Sequence, residues 1–388
     1  MFSNVTPRTA VTFTKYSVLL CCGWPLPSTA TKCQYYVYMV LKFLSILIDI
    51  AVILPVFWAL YIYIDDPVIT GKTFGLGTAL VQTLANMIIC SVQHNHYQRL
   101  IEEMTSYLDK AKSYEMAIFQ QYVDKYSPYH GFSTMMFYFC ATLVVFSSMF
   151  SDQPFPTIAE YPFRVDYEPV RTAIFMNHVL TAYQNVSSVS LNTLAALLLL
   201  FAAARFDILM LTLEEAVTVT DLKECMKSYD EARRYAHDVI GGIQYLSLSS
   251  VAFSSVILVN GGINIIGRRE FPVKCQFVFV IIVTLFEVFS FVLPADSLIE
   301  ASTGAILGVY NMKWYDQDLN VQKTVLRMLV PQKPIDVSFI YVIPQLSLNY
   351  YCSYISGAFS LFTVLRLALD DSEVTVSSNT LNTTCCYD

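Results

Sequence analysis

Seven long stretches of this chain consist mainly of apolar residues and carry almost no charge. An α-helix needs about 20 predominantly apolar residues to cross the hydrocarbon core of a bilayer, and each stretch reaches that length. Five are free of charge, while the first contains Asp49 and the sixth contains Glu287. The pattern predicts an all-α protein with seven transmembrane helices, over residues 43–64, 73–98, 126–151, 172–204, 239–267, 275–295 and 337–365.

The last stretch differs from the others because Ser, Asn and Tyr are concentrated in its middle. Such a mixture suits a helix that faces other helices or water instead of lipid. Composition agrees with a membrane protein: 55% of the 388 residues are hydrophobic and only 14% are charged. The stretches are too long and too uniformly apolar for the alternating strands of a transmembrane barrel.

The distribution of Lys and Arg predicts the orientation, because positively charged loops remain cytoplasmic. Sixteen Lys and Arg residues lie in the N-terminal segment and in every second loop after it, against six in the alternate loops. This bias predicts a cytoplasmic N-terminus and an extracellular C-terminus, opposite to a G-protein-coupled receptor. The long cytoplasmic loops keep helical periodicity. This periodicity predicts that the helices on either side of them continue beyond the membrane.

The sequence contains few motifs for catalysis or for metal or cofactor binding. No spaced Ser/His/Asp set, metal-binding pattern or phosphate loop is present, so the sequence indicates neither an enzyme nor a metal or cofactor site, and no nucleic-acid partner. Asp49 and Glu287 are costly inside a bilayer, so each marks a functional site or a polar partner within the bundle. The sequence leaves open whether either one is paired or protonated.

A heptad-like apolar pattern lies between the sixth and seventh stretches, in a predicted cytoplasmic anchor over residues 304–335. Two interpretations remain open for it, packing within the chain and contact with other subunits. The candidate anchor residues are Trp314, Leu319, Leu326 and Leu329.

Several segments resemble those of insect odorant receptors: CCGWPLP before the first stretch, PFPTIAEYPFRVDYEPV before the fourth, and SLNYYCSYISGAFSLFTVLR in the last. The resemblance implies an odorant-gated, non-selective cation channel. In it, a tuning subunit of this length assembles with a shared co-receptor into a hetero-tetramer in the plasma membrane of olfactory sensory neurons. Its partners would be a small volatile odorant, monovalent and divalent cations and membrane lipid. The alternative is a seven-span receptor that signals through a cytosolic partner without its own pore.

The resemblance also implies a domain organisation. It comprises a cytoplasmic segment (1–35), helices one to six with an odorant pocket in the outer half (36–303), the anchor (304–335), a pore-lining helix (336–368) and an extracellular tail (369–388). Val364, Leu367 and Ala368 would form an apolar gate that closes by dewetting, and Asp370 and Asp371 would enrich cations at its mouth. The implied pocket lies between spans two, three, four and six, with candidate residues Phe74, Thr78, Val81, Leu143, Phe146, Phe150, Phe175, Met176, Val179, Phe277 and Val280.

Overall fold

The computed structural model describes residues 5–148, 150, 155–215, 218–267, 269–311, 314–316, 318–329, 335, 338 and 345–384, with side chains in the last helix described as far as Leu367. These residues contain α-helices and one short 3-10 helix, and no strand occurs among them. The α-helices are Pro7–Ser17 (α1), Lys32–Ile62 (α2), Pro67–Val92 (α3), His94–Lys110 (α4), Ser113–Ser148 (α5), Val170–Val189 (α6), Leu191–Glu215 (α7), Val219–Ile266 (α8), Phe271–Asn311 (α9), Leu319–Leu329 (α10) and Leu348–Thr384 (α11).

Polar caps, and not the apolar runs, set where the helices begin. The first transmembrane helix starts well before its apolar run because Thr31 and Gln34 form a capping box, each side chain bonding the other's backbone N–H. Asp66 caps α3 by accepting from two backbone N–H groups of the first turn. Thr218 and Asp221 form a second capping box, which starts α8 far ahead of its apolar half.

The predicted all-helical architecture is confirmed. In the described part of the chain, six spans satisfy length and hydropathy for crossing a membrane: α2, α3, α5, α6 joined with α7, α8, and α9. The fourth and fifth helices extend beyond their predicted apolar runs, since α7 ends at Glu215 and α8 starts at Val219. The seventh span corresponds to α11.

The last helix begins later than its apolar run, at Leu348. Its N-terminus is fixed by side chains: Leu348 N donates to Asp296 Oδ1 of α9 at 3.1 Å, and Tyr350 N donates to Ser347 Oγ. Residues 336, 337 and 339–344, where the predicted span starts, lie outside the described residues. The predicted boundary at residue 368 falls inside α11, which continues to Thr384.

The core is centred on α7, which is apolar on all sides and surrounded by other helices. Leu191, Leu198 and Phe206 of α7 are completely buried, and Met104 of α4 and Tyr235 of α8 pack in the same cluster. A helix that is hydrophobic all round is expected in such a central position. Helices α2, α9 and α11 instead leave many large apolar side chains exposed, as lipid-facing or subunit-facing helices do.

Two ends of the bundle can be distinguished by their contacts. The lid end contains the connections 63–66, 155–169 and 267–270, and Tyr63 donates a hydrogen bond to Glu160 there. The anchor end contains α1, α4, α10 and the first half of α8. At the anchor end, Glu103 of α4 bonds both Arg205 of α7 and Arg234 of α8.

Candidate functional site

The candidate odorant site, called the crevice below, is the region in the lid-end half of the bundle where α3, α5, α6 and α9 face one another; it is defined by the apolar cluster around Phe137 and the polar network around Glu287. Of the predicted pocket residues, Thr78 and Phe277 are buried, and Val81, Phe175, Val179 and Val280 are half-buried. The remaining ones, Phe74, Leu143, Phe146, Phe150 and Met176, are exposed on the single chain. The structure therefore places only part of the predicted set inside the bundle.

The position of α5 explains the largest group of exposed residues. The face that α5 turns inward carries Phe137 and Ala141, both buried. Phe146 and Phe150 lie on another face, where their rings contact each other with centroids 5.0 Å apart and Phe150 is 78% exposed. Helical spacing grouped residues of one face correctly but could not indicate which face turns inward.

One wall of the crevice is an apolar cluster that joins three helices. Phe137 and Ala141 of α5 pack with Val186 of α6, and Val283 of α9 packs against this group. Tyr183 of α6 also packs there and stacks on Tyr138. A wall of this kind offers aromatic and aliphatic surface with few polar groups, as small-molecule pockets do.

The floor of the crevice is a buried polar network around Glu287 of α9. Gln82 Nε2 of α3 donates to Glu287 Oε1 at 2.6 Å, and Asn192 Nδ2 of α7 donates to the same oxygen at 3.3 Å. Ser250 Oγ of α8 donates to Asn192 Oδ1 at 3.2 Å. This answers the question left open by the sequence, because Glu287 is partnered and the network links four helices.

The break between α6 and α7 positions Asn192 for this network. Ser190 caps α6, and its hydroxyl donates back to the Val186 carbonyl at 2.9 Å. Serine side chains that bond the preceding turn compete with regular helical hydrogen bonds and bend helices. Helix α7 restarts at Leu191 and directs Asn192 toward α9.

Amide side chains also fix α6 against α3. Asn185 Nδ2 donates to Thr83 Oγ1 at 3.0 Å and to the Ala79 carbonyl at 3.1 Å, and Asn86 Nδ2 donates to Ser188 Oγ at 3.0 Å. These bonds lie between apolar helices, where a hydrogen bond across an interface replaces an unsatisfied polar group. They hold the width of the crevice on its α3 side.

A folded loop covers the lid end of α6. Within it, Phe155 stacks on the His178 ring with centroids 5.3 Å apart, and Thr157 Oγ1 and Tyr161 OH lie 2.6 and 2.8 Å from the two His178 ring nitrogens. Burial raises the pKa of Tyr161 to about 12. The backbone N–H of Glu160 donates to the Pro55 carbonyl of α2. The loop is thus tied to two helices at the entrance of the crevice.

Asp49 of α2 stands apart from this network. It is completely buried, and neither carboxylate oxygen has a hydrogen-bond partner among the described residues. Its role as a polar partner is therefore not supported by a contact in the described part of the chain.

The predicted pore residues lie on α11, and Val364 and Leu367 are on a face that the described part of the chain leaves uncovered. Val364 and Leu367 are both 61% exposed, and Leu361 on the same helix is exposed too. Phe362 points the other way, toward Gly262 of α8. The side chains of Ala368, Asp370 and Asp371 lie outside the described part.

The predicted anchor residues do not all behave alike: some pack within the chain, and others are exposed and available to another subunit. Trp314 packs against the main core cluster, and its indole N–H donates to the Tyr310 carbonyl. Leu319 and Leu326 are exposed, 61% and 51%. The Leu329 side chain lies outside the described part. Trp314 thus packs within the chain, whereas α10 retains an uncovered apolar row.

Comparison with known proteins identifies the family. The sequence model described as 7tm Odorant receptor matches residues 70–359, which is most of the chain. The chain belongs to the odorant receptor family. It is a receptor of this family and not an enzyme.

Solved structures share the fold of this receptor. One is the insect olfactory receptor OR5 from Machilis hrabei in complex with eugenol, with a TM-score of 0.75 and 14% identity over 93% of this chain and 99% of that one. Another is a second structure of the insect olfactory receptor OR5 from Machilis hrabei, with a TM-score of 0.71 and 13% identity over 92% of this chain and 97% of that one. A search of curated protein sequences found no match.

Sequence reasoning missed three members of the polar floor of this odorant receptor. Gln82, Asn192 and Ser250 are polar residues inside uncharged stretches, and polar residues within membrane helices tend to face partners in the bundle. That signal was present, but only the tertiary structure shows that Gln82 and Asn192 bond the same carboxylate and that Ser250 bonds Asn192.

Proposed function

We propose that this odorant receptor is the tuning subunit of a heteromeric, ligand-gated, non-selective cation channel that a small volatile odorant opens. In this arrangement the N-terminus and the anchor end are cytoplasmic, the lid end is extracellular, and a co-receptor completes a tetramer in the plasma membrane of olfactory sensory neurons. The observation that carries the proposal is the uncovered apolar face of α11.

That face supports a pore because no described residue of the chain covers it. Val364 and Leu367 are exposed over more than half of their surface, in a helix that contacts α8 and α9 on its other side. Several copies of such a face around an axis would form an apolar constriction that closes by dewetting. The exposed leucines of α10 offer a second surface for neighbouring subunits.

The crevice supports odorant binding because it combines an apolar wall with a polar floor. Burial of apolar surface contributes roughly 25 cal/mol per Å², so a small volatile gains most of its affinity from shape. A planar aromatic odorant gains about 0.5–1.5 kcal/mol more for each favourable ring contact. The eugenol complex of the Machilis hrabei receptor, a protein of the same fold, supports aromatic odorants as the first class to test.

The odorant opens the channel because it binds more tightly to the open arrangement of the bundle than to the closed one. Helix α9 connects the crevice to the pore helix. It carries Glu287 of the floor, and its Leu285 carbonyl accepts a hydrogen bond from Tyr351 of α11 at 3.0 Å. Its Asp296 caps the start of α11. An odorant that favours one position of α9 therefore favours one position of α11.

The channel proposal is tested by cysteine accessibility during whole-cell recording, with the chain expressed with and without a co-receptor. In a Cys352→Ser background, which removes the exposed native thiol of α11, we expect Val364→Cys to lose odorant-evoked current on exposure to a charged thiosulfonate reagent. Phe362→Cys is the matched control, because that position faces α8 and should stay protected. No current with both subunits at the cell surface would refute the channel and favour a receptor that signals through a cytosolic partner.

Odorant contact is tested separately by dose–response curves. Phe137→Leu keeps an apolar side chain in the crevice wall but removes its ring, so we expect the half-maximal odorant concentration to rise about threefold to tenfold for an aromatic odorant. Phe146→Leu on the exposed face of α5 is the control and tests the predicted contacts at Leu143, Phe146 and Phe150. An equal shift in both variants would contradict the crevice as the binding site.

A further inference from the structure

A second cavity lies away from the crevice, toward the anchor end. It has a volume of about 260 Å³, is lined by α1, α4, α5 and α7, and opens to the surface on one side. Its walls are almost entirely apolar and include Ala10, Met104, Phe119, Leu197 and Phe201. An apolar cavity of about 150 Å³ already holds benzene in another protein, so this one has room for a larger molecule.

Two polar groups in the cavity wall have no partner. His130 of α5 is buried, and neither ring nitrogen has a hydrogen-bond partner among the described residues. The buried Ser127 Oγ, one turn earlier, also has none. The tyrosines beside them are already satisfied, since Tyr122 OH donates to Asp207 and Tyr126 OH bonds Ser297. A buried polar group without a partner costs about 1–3 kcal/mol, so this wall favours a ligand that bonds His130 and Ser127.

We propose that this cavity is a second small-molecule site, which binds a neutral lipophilic molecule with one hydroxyl group. A hydroxyl both donates and accepts, which matches a neutral imidazole and a serine on the same wall. His130 is the only ionisable group other than tyrosine among the described lining residues, and none is Lys, Arg, Asp or Glu. A carboxylate or ammonium ligand would therefore be buried without a counter-charge, at a prohibitive cost.

The site would couple the ligand to the N-terminal helix. α1 and the residues just before it supply one wall of the cavity. Among the described residues, α5 bonds this segment near its two ends, where Gln120 Nε2 donates to the Val5 carbonyl and Tyr138 OH donates to the Ser17 carbonyl. A bound molecule adds contacts to both helices at once. Occupancy should thus slow hydrogen exchange in residues 7–17.

The test uses the full-length receptor in lipid nanodiscs and a 4-alkylphenol that carries a photoreactive diazirine. After irradiation, mass spectrometry locates the adducts, which we expect in residues 7–14 and 119–131. Unlabelled 4-propylphenol and propylbenzene, which differ only by the hydroxyl, are then compared as competitors. We expect the phenol to compete about tenfold better, from one or two hydrogen bonds of ordinary net strength.

Two variants test whether Ser127 and His130 recognise the hydroxyl group. Ser127→Ala removes one hydroxyl at an α-helical position that tolerates alanine, and His130→Phe removes the ring nitrogens while keeping an aromatic side chain. In each variant, the concentrations of 4-propylphenol and propylbenzene that halve the labelling should differ less than in the wild type. The elution profile of the receptor should stay unchanged. Adducts absent from both segments in the folded wild type, or equal competition by the two compounds, would show that water satisfies these groups and would overturn the proposal.

Discussion

Replacement of Glu287 by leucine tests whether the polar floor stabilises the bundle. In the wild type, one carboxylate oxygen accepts from Gln82 Nε2 at 2.6 Å and from Asn192 Nδ2 at 3.3 Å. Leucine has a similar volume but accepts nothing, so both amide donors would be left buried between apolar helices. Glutamine at the same position keeps an acceptor oxygen in nearly the same place and serves as the matched control.

The magnitude follows from the number of donors left unpaired. An unsatisfied buried group costs about 1–3 kcal/mol in soluble proteins, whereas interhelical hydrogen bonds in a membrane protein average about 0.6 kcal/mol with a maximum near 1.7. The membrane values apply better here, because the reference state also lies in the bilayer. Two lost bonds therefore predict a loss of about 1–3 kcal/mol for Glu287→Leu and a smaller one for Glu287→Gln.

The assay is thermal unfolding in detergent, followed by the fraction of receptor that remains monodisperse after heating. Unfolding of membrane proteins is often irreversible, so the variants are compared at one heating rate. We expect Glu287→Leu to unfold several degrees below both the wild type and Glu287→Gln. Equal midpoints for the leucine and glutamine variants would refute the reasoning, because they would show that Gln82 and Asn192 find other partners at no cost.

Three further perturbations follow from contacts outside the floor. A Cβ on Gly71 would lie within van der Waals overlap of the Asn264 amide, so we expect Gly71→Ala to lower the unfolding midpoint and Asn264→Ala to restore it. Arg205 has a side chain only 6% exposed and pairs with the more exposed Glu103. Glu103→Gln, which leaves the buried guanidinium with only Glu231 at 4.0 Å as a carboxylate partner, should lower stability more than Arg205→Met. His178→Phe removes two hydrogen bonds to the lid, so hydrogen exchange of residues 155–161 should become about tenfold faster.

Each of these predictions has a specific contrary outcome. If the two substitutions lower the unfolding midpoint additively in the Gly71→Ala, Asn264→Ala double variant, the Asn264 amide is not what prevents a side chain at position 71. A larger loss for Arg205→Met than for Glu103→Gln would show that stacking of the guanidinium on Tyr107 and Tyr235 outweighs its charge pairing. Unchanged exchange in the lid of His178→Phe would show that the Phe155 stacking and the Glu160 backbone bond are sufficient to hold it.

The fold was predictable from the sequence because the bilayer imposes a simple requirement. Backbone polar groups in hydrocarbon must be satisfied within the segment, so long apolar runs form helices. The pattern of runs therefore predicted the all-helical bundle, and the periodic charged segments predicted the extensions of α7 and α8. It did not predict the start of α11 at Leu348, because that start depends on Asp296, a residue from a different helix.

The candidate site was less predictable, and the reason is geometric. Local spacing fixes which residues share a helix face, but the rotation of each helix depends on all its neighbours. Phe137 and Phe146 are equally apolar, and only packing of α5 against α6 and α9 buries the first and leaves the second exposed. Similarly, Asp49 and Glu287 are both single acids in apolar runs, yet only Glu287 has hydrogen-bond partners among the described residues.

The sequence by itself thus determined the class of this protein, the number of its membrane helices and its family resemblance, since these depend on composition and order along the chain. The tertiary structure alone decided which helix faces form the crevice, how Gln82, Asn192 and Ser250 gather around Glu287, and that His130 has no hydrogen-bond partner among the described residues. Convergence of this kind involves residues up to 205 positions apart. No periodicity within a single helix encodes it, because it arises only when the helices pack together.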